Sequence, residues 1–123
     1  MHADQVAISA TCVRVPVFTG HSEAVCVEFS NPMPPDEASR ILVEAPGVKV
    51  LDDTSISLYP QAWPAAGTDE VFVGRIRKDA SHPNGLVMWI VADNLRKGAA
   101  LNAVQIAEEM IQREWLHPGE AGK

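Results

Sequence analysis

The chain has 123 residues, 46% of them hydrophobic and 21% charged, with a formal net charge of -6. That is enough chain for one globular domain or part of one, and an acidic balance without a Lys/Arg-rich run argues against nucleic acid or an anionic membrane as partner. No apolar stretch nears the roughly 20 residues needed to span a bilayer. Met1-His2-Ala3-Asp4 also lacks a basic region leading into an apolar run, so no secretory signal and a cytoplasmic location are expected.

Alternation predicts a first strand over residues 5–15, with Val6, Ile8, Ala10 and Cys12 on one face and Arg14 next in that row. Pro16 and Gly20 mark a hinge, because proline cannot donate to a ladder and glycine tolerates the turn back. A second strand follows over 22–29, with His21, Glu23, Val25, Val27 and Phe29 on one face. Arg14 and His21 thus fall on core-side rows, where an unpaired charge is costly, and are expected at the rim of one pocket. Beyond the breaker run Ser30 to Pro35, a short helix has apolar positions Ala38, Ile41, Leu42 and Ala45. Pro35, Asp36 and Glu37 suit its first turn, and Pro46-Gly47 ends it.

A short strand is expected at Val48 to Leu51. The stretch from Asp52 to Glu70 shows no sustained period and reads as a long loop, functional or covering an interface. Its Tyr59 and Trp63 are expected to pack on a neighbouring surface rather than hold a cofactor. Residues 71–77 and 86–92 read as an antiparallel hairpin joined through Pro83-Asn84-Gly85. The second arm, apolar on both faces, belongs in the middle of the sheet. A last helix is predicted over about 95–115, thin at Gly98 to Ala100, with Leu101, Val104 and Ile111 on its apolar stripe. The rest, from His117 on, reads as a tail.

Three residues have chemistry beyond packing. His21 carries an imidazole, a group suited to accepting and donating protons, with Glu23 placed to orient it; the plainer alternative is a strand-end histidine bonded to a carbonyl. Arg14 offers a planar fork for a carboxylate, against a simple salt bridge to Glu23 or Glu28. Asn94, at the junction of strand and helix, is suited to a carboxamide or to an ordinary helix cap. Arg75 and Arg77 are expected in surface or interface pairing. Cys12 and Cys26 make no disulfide framework and read as small buried hydrophobes, with a nucleophilic thiol as the alternative. The histidines and cysteines show no metal-ligand spacing, so no metal is expected. His2, His82 and His117 are expected in solvent.

The segment Arg14-Val-Pro-Val-x-x-Gly-His21-Ser22-Glu23, followed in order by Val73-Gly74-Arg75-Ile76-Arg77 and Asp93-Asn94-Leu95-Arg96-Lys97-Gly98, resembles the C-terminal part of aspartate-semialdehyde dehydrogenase. The likeness runs over about residues 6–109. It implies that Arg14 holds the substrate carboxylate, that His21 is the acid/base catalyst and that Asn94 touches the nicotinamide of NADP. It also implies an α/β fold: a mixed, mainly antiparallel sheet of four or five strands, helices on one face and a long C-terminal helix, as in the dimerisation domain of glyceraldehyde-3-phosphate dehydrogenase-type enzymes. On this reading residues 1–92 are a substrate and dimerisation domain. Residues 93–116 return toward an NADP-binding domain, and 117–123 are tail.

Such enzymes reduce L-aspartyl 4-phosphate to L-aspartate 4-semialdehyde through a cysteine thiolate, in lysine, threonine and methionine biosynthesis, and work as a homodimer or tetramer. The 123 residues hold no Gly-x-Gly-x-x-Gly unit and no nucleophile motif. Alone they are therefore expected to be inert. A non-catalytic dimerisation module of the same descent, or a related acyl-phosphate reductase, are the other readings.

Overall fold

The computed structural model describes residues 4–115. Four strands form one sheet in the order β1-β4-β3-β2: β1 His21–Glu28, β2 Val48–Val50, β3 Val71–Lys78 and β4 Gly85–Ala92. β1 and β3 both run antiparallel to β4, while β2 is parallel to β3. The expected mixed, mainly antiparallel sheet is therefore present, and the apolar second arm of the hairpin is an inner strand, as its two-sided pattern required.

Helix α1, Pro35–Glu44, lies against β2 and β3. Phe72 and Val73 are successive residues of β3 and so face opposite ways, yet both are buried. The Val73 face, with Leu86 of β4, lies under α1 and its buried Ala38. The Phe72 face meets a smaller cover, a single helical turn α2, Ala62–Ala65. Ala65, Phe72 and Val91 form a buried cluster there, flanked by Leu51, Ala62 and Trp89. Farther along, this second face is open: Ala24 and Cys26 are exposed. A cavity of about 340 Å³ lies there between Ala24, Trp89, Tyr59, Arg75 and Arg77.

The stretch between β2 and β3 departs from a structureless loop. It contains a 3-10 turn, Thr54–Ile56, and α2, and it is tied down across the second face. The indole N–H of Trp89 donates to the Pro60 carbonyl at 3.0 Å. Leu51 N donates to the Val73 carbonyl at 2.8 Å. Gly74 is needed beneath this crossing, since a Cβ there would stand 2.1 Å from the Leu51 carbonyl oxygen. Just beyond, the β3–β4 register slips between Gly74 and Arg77, with Arg75 at φ 56°. The Ile76 N–H at the slip donates to Asp52 at 2.8 Å. None of these long-range contacts has a periodic signature, which is why the segment looked irregular.

Two predicted elements change. Residues 5–15 form no strand: they run beside the sheet without a ladder, and Val6, Ile8 and Val13 are exposed, Ile8 to 81%. Alternation alone cannot make a strand where no neighbour takes its hydrogen bonds and no layer covers its apolar face. The last helix begins as a π-turn, Arg96–Ala100, and continues as α3, Leu101–Gln112. Of the sheet and helices, α3 packs chiefly on that turn, and Val104 and Ile111 remain exposed. The predicted tail from His117, with His2, lies outside the described residues.

Candidate functional site

The first residue of β1 is His21, paired with Ala92, the last of β4. Its parity is as expected, sharing a face with the half-buried Val25 and Val27. Burial is not: α1 covers this face only over β2 and β3, at the other edge of the sheet, so His21 and Glu23 are exposed. Arg14 is likewise exposed, because its segment is not a strand. The two meet nonetheless. An open cleft of about 540 Å³ is lined by Cys12, Arg14, Val17, Gly20, His21 and Glu23, among others.

The plainer readings of these side chains are not what the structure shows. Among the described residues Arg14 has no acidic partner within 4.0 Å, and Glu28 instead stands 4.0 Å from His82. Among the described residues no hydrogen bond joins the His21 ring to a carbonyl or to Glu23. Cys12 and Cys26 are free and exposed rather than buried, since one sits on an unpaired segment and the other on the open sheet face. Arg75 and Arg77 are exposed beside the sheet cavity, where Arg77 donates to the Arg75 carbonyl at 2.7 Å.

Asn94 reaches the same corner from the other end of the chain. Its Oδ1 accepts from the Gly20 N–H at 3.0 Å, across 74 residues of sequence. A main-chain N–H must meet the oxygen, so this bond fixes which way the amide points. Its Nδ2 makes no hydrogen bond among the described residues and is left to donate to a ligand carbonyl. That is half of what a carboxamide could use, and it fits.

Sequence reasoning passed over Asp93. It is 4% exposed, and its carboxylate accepts from Gly67 N at 2.7 Å and from Leu95 N at 2.9 Å, with Arg96 N at 3.3 Å. Asp93, not Asn94, therefore caps the turn. The Gly67 N–H above all, then those of Leu95 and Arg96 and the Arg96 charge, hold its carboxyl below the ordinary carboxylate value, against the opposing effect of burial. Arg96 is itself ion-paired to Asp69. The signal was available: aspartate is a preferred residue just before a helix.

The family model described as "Semialdehyde dehydrogenase, dimerisation domain" matches residues 1–97. The chain belongs to this family. Aspartate-semialdehyde dehydrogenase of Legionella pneumophila is 57% identical to this dimerisation domain over 117 residues, covering 94% of the chain and 33% of the relative. That of Synechocystis sp. is 54% identical over 114 residues, 93% of the chain and 34% of the relative. A crystal structure of aspartate semialdehyde dehydrogenase II from Vibrio cholerae, complexed with ASA, superposes with a TM-score of 0.76. It is 47% identical and covers 83% of this chain and 30% of its own. The chain thus spans about a third of the length of the curated relatives it matches. The resemblance carried by Arg14 to His21 is borne out.

Proposed function

We propose that this domain supplies the carboxylate clamp and the acid/base group of an NADP-dependent aspartate-semialdehyde dehydrogenase, acting in the cytoplasm as a homodimer or tetramer. The observation that carries this reading is that Arg14 and His21 line one cleft while Asn94 is bonded to the residue before His21. Arg14, without an acidic partner among the described residues, presents two parallel donors to the substrate carboxylate. His21 gives or takes the proton at the substrate oxygen as the covalent bond to the enzyme's cysteine forms or breaks. Neither Cys12 nor Cys26 is assigned that nucleophilic role, which the family places in a segment upstream of these residues. Bound NADP supplies hydride exchange, and Asn94 Nδ2 is the group here that would hold its carboxamide. Residues 1–92 carry clamp and subunit contact, and the segment 93–116 leads toward a nucleotide-binding domain.

A chimera tests this: the chain replaces the corresponding third of the Legionella relative, and oxidation of L-aspartate 4-semialdehyde with NADP and phosphate is followed. The chimera should turn over, His21→Ala should lower kcat by about 10²- to 10⁴-fold, and Arg14→Lys should raise KM by about tenfold to a hundredfold. A folded but inactive chimera, or a His21→Ala chimera as active as its parent, overturns the reading. Either result would favour the non-catalytic dimerisation module.

A further inference from the structure

We infer that Asn94 is a positioning residue for His21, holding the turn that aims the imidazole, in addition to any contact with a cofactor. The inference rests on the proposed function only in naming His21 the acid/base; the mechanical coupling stands on the contacts themselves. Gly20 has φ +101°, a conformation other residues rarely adopt, and it is buried. Its neighbours stand at van der Waals contact: a Cβ there would lie 3.4 Å from Ala62 Cβ and 3.5 Å from the Ala92 carbonyl oxygen. Gly20 is therefore seated between α2 and the end of β4, and its direction sets where His21 starts.

One polar group in this seat needs a partner, the Gly20 N–H. It lies outside the sheet ladder, which begins at His21 and Ala92. Asn94 Oδ1 is its acceptor at 3.0 Å. An N–H buried without an acceptor is strongly disfavoured, so removing the amide should let the turn reorient toward water. Asn94 can hold firm because its neighbour does: Asp93 is bonded to Gly67, Leu95 and Arg96 main-chain N–H groups. Asp93 ties the strand exit to the segment after α2, Asn94 ties it to the turn before β1, and His21 is the next residue.

Aspartate at position 94 separates the two jobs. It keeps an acceptor for Gly20 but has no amide to donate to a carboxamide. The test is amide hydrogen exchange, residue by residue, on the full ¹⁵N-labelled chain. Asn94→Ala should speed exchange at Gly20 by at least about tenfold while Phe72 and Val91 keep their wild-type rates, and Asn94→Asp should restore protection at Gly20. The His21 ring resonances should move or broaden in Asn94→Ala and return in Asn94→Asp. Unchanged Gly20 exchange in Asn94→Ala overturns the inference. So does a uniform rise at all three sites, or failure of aspartate to rescue. None of these readouts uses turnover, so a clamp that passes beside a His21→Ala chimera of full activity would sink the proposed function and leave the clamp standing.

Discussion

Asp93 holds its charge in a nearly closed position because main-chain N–H groups take the place of water. Its carboxyl is depressed in the folded chain relative to the ordinary value of 3.8. A depressed carboxylate contributes stability that is fully present above the unfolded value and is lost as pH falls through the folded one. Acid unfolding of the wild type should therefore steepen below pH 3.8. Asn at this position should lower stability at pH 7 and flatten that acid limb, as read by denaturant melts at several pH values; an unchanged limb would mean the group is not held this way. Gly74 is a second residue-scale case. Its Cβ would collide with the Leu51 carbonyl, part of the backbone rather than a movable side chain. Gly74→Ala should cost about 1–3 kcal/mol or more in a urea melt.

The elements differ in how they are held. The sheet core on the α2 side is a small cluster around Phe72 and Val91. Phe72→Ala there should cost about 3–5 kcal/mol. Helix α3 contributes little to that core. It packs chiefly on the π-turn at its own start, and Val104 and Ile111 stay in water. A double change, Val104→Gln with Ile111→Gln, should leave the unfolding free energy from a urea melt within about 0.5 kcal/mol per site, since exposed sites away from special features change little. The same change should reduce self-association on sizing chromatography. A large loss of stability would show instead that α3 belongs to the cooperative unit.

At the scale of the molecule, the exposed apolar residues concentrate on the segment before β1, on the stretch from Ile56 to Trp63 and on α3, with Trp63 exposed to 87%. Together with the open face of the sheet, these residues leave apolar surface that another layer could cover. The matched family model is a dimerisation domain, and the chain spans a third of the length of its relatives. Each agrees with surfaces built for other layers. The 123-residue chain alone should run larger than a monomer in light scattering at micromolar concentration, and should show no NADP-linked turnover. No described helix is long and apolar enough to cross a membrane.

What the residues determined by themselves was local or carried by motif. The two-sided apolar run placed β4 inside the sheet, Pro35 and Pro46-Gly47 bounded α1, and the Arg14 to His21 spacing pointed to one pocket and one family. Hydrogen bonding and side-chain period act over a few residues, so such features are written in short stretches. Tertiary structure decided the rest. Whether residues 5–15 are a strand depends on a neighbour and a cover, which alternation cannot report. The crossing of Leu51 over Gly74, the capture of Gly67 by Asp93 and the bond from Asn94 to Gly20 join positions 23 to 74 residues apart, in contact only because the sheet brings its ends together. Such contacts depend on chain closure and on buried donors needing acceptors, and neither leaves a period in the sequence.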